Sequence, residues 1–152
     1  MEKDEDGRAI PRQFALRYYL YASKPDVLSV VFSKWVYLDG PHGHPSSEAF
    51  THDLRAKKQM RPGDIFPHWQ KTKKELTPLL KASIDDFDAS CPDLKPEELS
   101  PNDTKFYLSP DGLTVVYRNG YAPPDQWGCA SLSVDKEDLE GIGADMRWWV
   151  TQ

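Results

Sequence analysis

Lys105-Phe106-Tyr107-Leu108-Ser109-Pro110-Asp111-Gly112-Leu113-Thr114-Val115-Val116-Tyr117 is the stretch that decides the fold class. Two runs of aromatic, aliphatic and β-branched residues flank Asp111-Gly112, and Asp-Gly between apolar runs is the strongest short-range signal for an antiparallel hairpin. Toward the N-terminus, residues 14–22 read as an aromatic strand, Lys24-Pro25-Asp26 as a turn, and residues 27–38 as a second strand paired with the first. A third strand is expected over 49–54. Before it, residues 39–47 hold two prolines and two glycines, which argues against regular structure there. Residues 55–59 then turn, and 61–66 form a compact corner.

From Trp69 to about Phe87, apolar Leu76, Leu79, Leu80, Ile84 and Phe87 recur at three and four residues, the stripe of an amphipathic helix. Pro78 inside it should kink the helix or mark a restart. A connection over 88–102 carries Pro92, Pro96 and Pro101, with room for a short turn around Pro96-Glu97-Glu98-Leu99. After the hairpin, residues 129–134 read as a strand, and Asp135 is placed to cap a closing helix through about Trp148, weakened by Gly141 and Gly143. The order of strands, helix, strands, helix predicts an α+β fold: antiparallel sheets with helices packed on one face, in two strand–helix halves. Residues 1–13 are expected to be a frayed leader and 14–152 a single domain.

The 152 residues are 39% hydrophobic and 28% charged, with 13 prolines and a net charge of -5. That charge argues against a nucleic-acid partner, which needs a basic face, and no stretch approaches the length of a membrane span. Local basic runs at Arg55, Lys57, Lys58 and Arg61, and at Lys71, Lys73 and Lys74, read as solvated turn and helix faces. The opening Met1-Glu2-Lys3-Asp4-Glu5-Asp6 is unlike a signal peptide. Cys91 and Cys129 lack the spacing of a zinc site or redox dithiol; they either form one disulfide, as suits an exported protein, or are unrelated thiols, and the sequence leaves both open.

No reactive centre assembles from the motifs. His42, His44, His52 and Asp53 are the residues best suited to hold zinc, yet their spacing matches no zinc class, and adjacent strand residues His52 and Asp53 point to opposite faces. Asp85, Asp86 and Asp88 read as a solvated helix end. There is no Gly-x-Ser-x-Gly elbow and no phosphate loop, and Cys129 has no evident base. The expectation is a non-enzyme with no catalytic residues, metal or cofactor, whose proline-stiffened loops dock a protein. The first loop holds His42, Gly43 and His44; the second holds Tyr121, Pro123, Pro124, Asp125 and Trp127, with Tyr121 and Trp127 as aromatic anchors.

Three segments together resemble the extracytoplasmic domain of the RsiV-type, lysozyme-sensing anti-sigma factors, a domain also found beside cell-wall deacetylases. Tyr37-Leu38-Asp39-Gly40-Pro41-His42-Gly43 is similar to that family's Tyr-x-Gly-Gly-Ala-His-Gly signature. Residues 53–66 are similar to its Asp-Leu-x-x-Gly-Lys corner and the Asp-Leu-Phe that opens its helix, and 106–139 to its closing hairpin, Ala-Pro loop and strand–helix end. The likeness spans about residues 14–140. Departures are Ala56 where the family usually has Gly, Pro41 within its Gly-Gly-Ala, and Pro124-Asp125-Gln126-Trp127 in place of its Tyr-Ala; the family's opening helix is not evident before Phe14. The resemblance implies an extracytoplasmic or periplasmic protein whose partner is a lysozyme-like peptidoglycan hydrolase, inhibited by loops at its glycan cleft. Two alternatives stand beside it: an immunity protein neutralising a secreted cell-wall-degrading toxin, and a peptidoglycan-binding module accompanying a cell-wall enzyme.

Overall fold

The structure, a computed structural model, describes residues 13–37, 43–83, 99–116 and 131–150. It is α+β, built as two antiparallel sheets with helices packed against them. The first sheet has the order β1-β2-β3-β4, from Gln13–Lys24, Val27–Tyr37, His44–Asp53 and Lys58–Gln59. The second has the order β5-β6-β7, from Lys105–Leu108, Gly112–Val116 and Ser131–Asp135. Between the sheets in sequence lie α1 (Pro62–Ile65) and α2 (Trp69–Ala82); α3 (Lys136–Gly141) and a single 3-10 turn (Met146–Trp148) close the chain.

The strands follow the apolar runs, with two informative differences. Lys58–Gln59, expected within the turn of 55–59, pairs with Asp53 and His52 as β4. Strand β3 begins at His44, within the stretch expected to be irregular, and pairs Pro45 with Trp35. Proline lacks an N–H and so suits a strand whose other side is free; β4 covers β3 only at His52 and Asp53. The turn between β3 and β4 is held by the Asp53 carboxylate, which accepts the backbone N–H groups of Arg55 and Ala56, each at 2.9 Å. Asp53 thus has a structural role. The left-handed residue of this corner is Lys57 (φ 54), so the position suited to glycine is Lys57 and not Ala56.

The hairpin of β5 and β6 forms, with Leu108 opposite Leu113, but Gly112 serves a different purpose from the one its Asp-Gly context suggests. It is a residue of β6, and a Cβ there would run into the Val134 carbonyl of β7. The glycine admits a neighbouring strand and does not shape a turn. Helix α2 runs through Pro78 and buries Trp69, Thr72, Leu76 and Leu80; residues 84–87 lie outside the described part. The closing helix is shorter than expected. It ends at Gly141, Gly143 takes a left-handed backbone (φ 81), and the chain re-forms only as the 3-10 turn. Gly141 and Gly143, two positions apart, remove too much helix propensity for six residues to overcome.

One core joins the halves. Ile65, Phe66, Leu76, Leu80, Leu108, Leu113, Val134, Leu139 and Trp148 are buried together. Strand β5 lies with its unpaired edge toward the first sheet, and a hydrogen-bond chain seals that edge. Leu108 N–H donates to Ser29 Oγ (2.9 Å), the Ser29 and Thr51 hydroxyls bond at 2.9 Å, and Thr51 Oγ1 donates to the Phe106 carbonyl (3.0 Å). Because Thr51 gives its only hydroxyl proton to Phe106, Ser29 must be the donor between the two. The direction of the whole chain is therefore fixed.

Candidate protein-binding site

Strands β1 to β3 extend beyond the second sheet as a three-stranded arm. Thr51, where β5 touches, and His44, at the end of the arm, are seven residues apart, about 23 Å at a strand's rise. The first candidate loop joins β2 to β3 at this far end. Its return is fixed by Trp35: a Cβ on Gly43 would run into the Trp35 indole, so only glycine lets the ring lie against the backbone there. The Tyr37 ring stacks near Trp35, with centroids 6.1 Å apart and planes within 11°. Of the residues expected to bind a partner, Gly43 and His44 are thus placed at the root of the loop. His42, Tyr121, Pro123, Pro124, Asp125 and Trp127 lie outside the described residues, as do Cys91 and Cys129. The second loop connects β6 to β7, so the two loops are rooted on different sheets.

The seam between the sheets holds a feature that sequence reading passed over. A cavity of about 350 Å³ opens where β3 and the β4 corner meet β5. Thr51, Met60 and Phe106 form its buried floor, and Arg61, Asn102 and Lys105 stand on its wall. The wall carries two cations and no carboxylate. Arg61 Nη1 donates to Asn102 Oδ1 at 3.1 Å, leaving further guanidinium donors for a carboxylate presented from outside. Arg61 had read as part of a solvated basic run because nothing in the sequence ties it to Lys105, 44 positions away. The recess thus sets two cations and the Asn102 amide around a buried floor.

Asp64 organises the corner beside the cavity. Its carboxylate accepts the Lys58 ammonium at 2.7 Å and the Arg61 backbone N–H at 2.8 Å. Burial pushes the Asp64 carboxyl up, but the Lys58 contact, the Arg61 N–H and the charges of both residues outweigh it and hold the group below its ordinary value. A carboxyl depressed in the folded state stabilises the fold above its unfolded pKa of about 3.9 and loses that contribution as pH falls through the folded value. Asp64→Asn should therefore lower stability by about 1 kcal/mol near neutral pH, the size of a helix cap. The gap should narrow as urea midpoints are taken below pH 4; a constant gap down to pH 2 would show that the carboxylate charge is not what matters.

Among the described residues, no cluster of three or more His, Cys, Asp or Glu side chains is arranged to hold a metal ion, and no helix is long and apolar enough to cross a membrane. No family model matches the sequence, and no curated protein does. The fold is nevertheless shared with solved proteins. A DUF3298 family protein from Pseudomonas aeruginosa PAO1 superposes with a TM-score of 0.60 at 17% identity, over 91% of this chain and 65% of that one. A member of the same family from Bacteroides fragilis gives a TM-score of 0.61 at 19% identity, over 85% of this chain and 53% of that one. The chain therefore spans between about half and two-thirds of the length of these structures, and what they share with it is the fold.

Proposed function

We propose that this chain is a non-catalytic recognition domain, acting outside the cytoplasm, that binds a lysozyme-like peptidoglycan hydrolase and obstructs its glycan cleft with the loops of residues 38–43 and 117–130. The observation that carries this reading is the Trp35 indole seated against Gly43 at the end of a long β arm. A loop whose root is fixed before binding loses less entropy on docking, and that saving appears as affinity. The motif resemblance around Tyr37, His42 and Gly43 supports the partner class. So does charge: an acidic chain of net -5 meets a basic hydrolase faster. The Arg61–Lys105 recess offers a second contact, for an acidic side chain of the partner.

The reading is tested by following lysozyme turnover of peptidoglycan as the chain is added. Inhibition is expected, and Gly43→Ala and Trp127→Ala should each weaken it by about tenfold or more, as loss of an anchor does. Gly43→Ala should do so with little loss of stability, because the contact it displaces is at the end of the arm. Undiminished inhibition by both variants would remove the loops from the interface. Neutralisation of a toxin encoded beside this chain, with no effect on lysozyme, would favour the immunity role. Sedimentation with purified peptidoglycan alone would favour the glycan-binding module.

A further inference from the structure

Strand β1 is the outer edge of its sheet, and residues 13–20 are exposed along their whole length. Its even-numbered side chains form an apolar row: Phe14 is 65% exposed, Leu16 54%, Tyr18 66% and Leu20 59%. The row continues across the same sheet face, since Tyr18 is opposite Phe32 and Leu20 opposite Val30, which in turn is opposite Phe50. Natural edge strands are protected by prolines, lysines, bulges or shortness. From Gln13 to Tyr21, β1 has no proline, a single charge at Arg17 and unbroken pairing to β2, its one irregularity lying between Tyr21 and Lys24.

From this edge we infer that the chain forms a homodimer, in which β1 pairs antiparallel with β1 of a second copy about a two-fold axis through Tyr18. The register follows from three requirements. Centring on Tyr18 sets residues 15–21 against themselves, all within the stretch that pairs regularly with β2. It keeps the even faces of the two copies on one side, so the apolar rows join, with Leu16 beside Leu20 of the second copy and the two Tyr18 rings adjacent. It also sets Arg17 against Tyr19 of the second copy, twice over, as a cation on an aromatic face. Shifting the centre by one residue to Arg17 would bring two guanidinium groups face to face.

The area is sufficient. At 150–250 Å² for a whole aromatic side chain, the exposed residues of β1 leave on the order of 500 Å² of apolar surface per copy. Two copies therefore bring on the order of 1,000 Å² of exposed apolar surface to this edge, the scale of a specific interface. This inference is independent of the hydrolase reading, because it uses neither candidate loop.

Sedimentation velocity on the full chain at micromolar to submillimolar concentration tests it. The expected species has twice the 17.4 kDa of one chain. Tyr18→Lys, at a site too exposed to disturb the fold, brings two ammonium groups together and should weaken dimerisation by about tenfold or more, each tenfold being 1.4 kcal/mol. Tyr18→Cys should cross-link to its symmetry mate under mild oxidation, since directly opposed strand residues are within disulfide reach. Leu16→Cys should not, and the parent, with only Cys91 and Cys129, sets the background. A single-chain species at every concentration would overturn the inference, including one whose edge takes up an apolar peptide strand. So would a dimer indifferent to Tyr18→Lys, or one that cross-links through Leu16→Cys in preference.

Discussion

Replacing Trp148 with alanine is expected to destabilise the fold by about 3–5 kcal/mol, the cost of removing a buried tryptophan. The ring is only 7% exposed and is tied on several sides. Its Nε1 donates to the Asp64 carbonyl at 2.9 Å. Lys24 Nζ and Arg147 Cζ lie 5.3 and 4.7 Å from its centroid. The Trp148 carbonyl accepts the Ser23 hydroxyl at 2.6 Å, and Asp145 N–H donates to the Ile65 carbonyl at 2.8 Å. The end of the chain thus joins β1 to the corner that holds Asp64. Trp148→Phe should keep most of the packing and lose about 1 kcal/mol, the net worth of one hydrogen bond, because the Asp64 carbonyl it releases is only part-buried. Urea unfolding with tryptophan fluorescence measures both. A loss under about 1 kcal/mol for Trp148→Ala would show that this segment only rests on the surface.

The second large effect is expected at Ser29, where the two sheets are joined. Ser29→Ala interrupts the directed chain from Leu108 N–H to the Phe106 carbonyl, stranding a fully buried N–H and emptying the Thr51 acceptor. A buried donor left unsatisfied costs about 1–3 kcal/mol, and a fixed chain of hydrogen bonds loses more than one member's share when cut in the middle. Thr51→Val, which preserves shape and removes only the hydroxyl, should cost less. The double variant should be less destabilised than the sum of the singles, by about 1 kcal/mol or more, as for residues of one network. Strict additivity in the double-mutant cycle would mean that the two hydroxyls act separately.

The fold was legible wherever a local signal and the tertiary demand coincide. The apolar runs of β1, β2, β5 and β6 and the stripe of Leu76 and Leu80 in α2 each state their element in their own residues. The failures share a cause. Whether Pro45 can sit in a strand depends on β3 having a free side there, which is a property of sheet order. Gly112 stands where it does because the Val134 carbonyl approaches it, a contact from 22 residues further on. Glycines 141 and 143 were read as weakening a helix that they in fact end. The candidate site shows the same division. Gly43 was singled out as a loop residue; its meeting with Trp35 requires the register of β2 on β3. The Arg61–Lys105 recess had no local signature, since its two cations come from the start of α1 and from β5, 44 positions apart.

The proposed function requires a protein partner of the peptidoglycan hydrolase class. Isothermal titration of the chain into a lysozyme measures this directly. The expected result is a saturable complex of one hydrolase per chain, weakening as salt rises because opposite net charges assist it. No complex with lysozyme or any other peptidoglycan hydrolase, together with turnover or retention of the glycan by the chain alone, would contradict it.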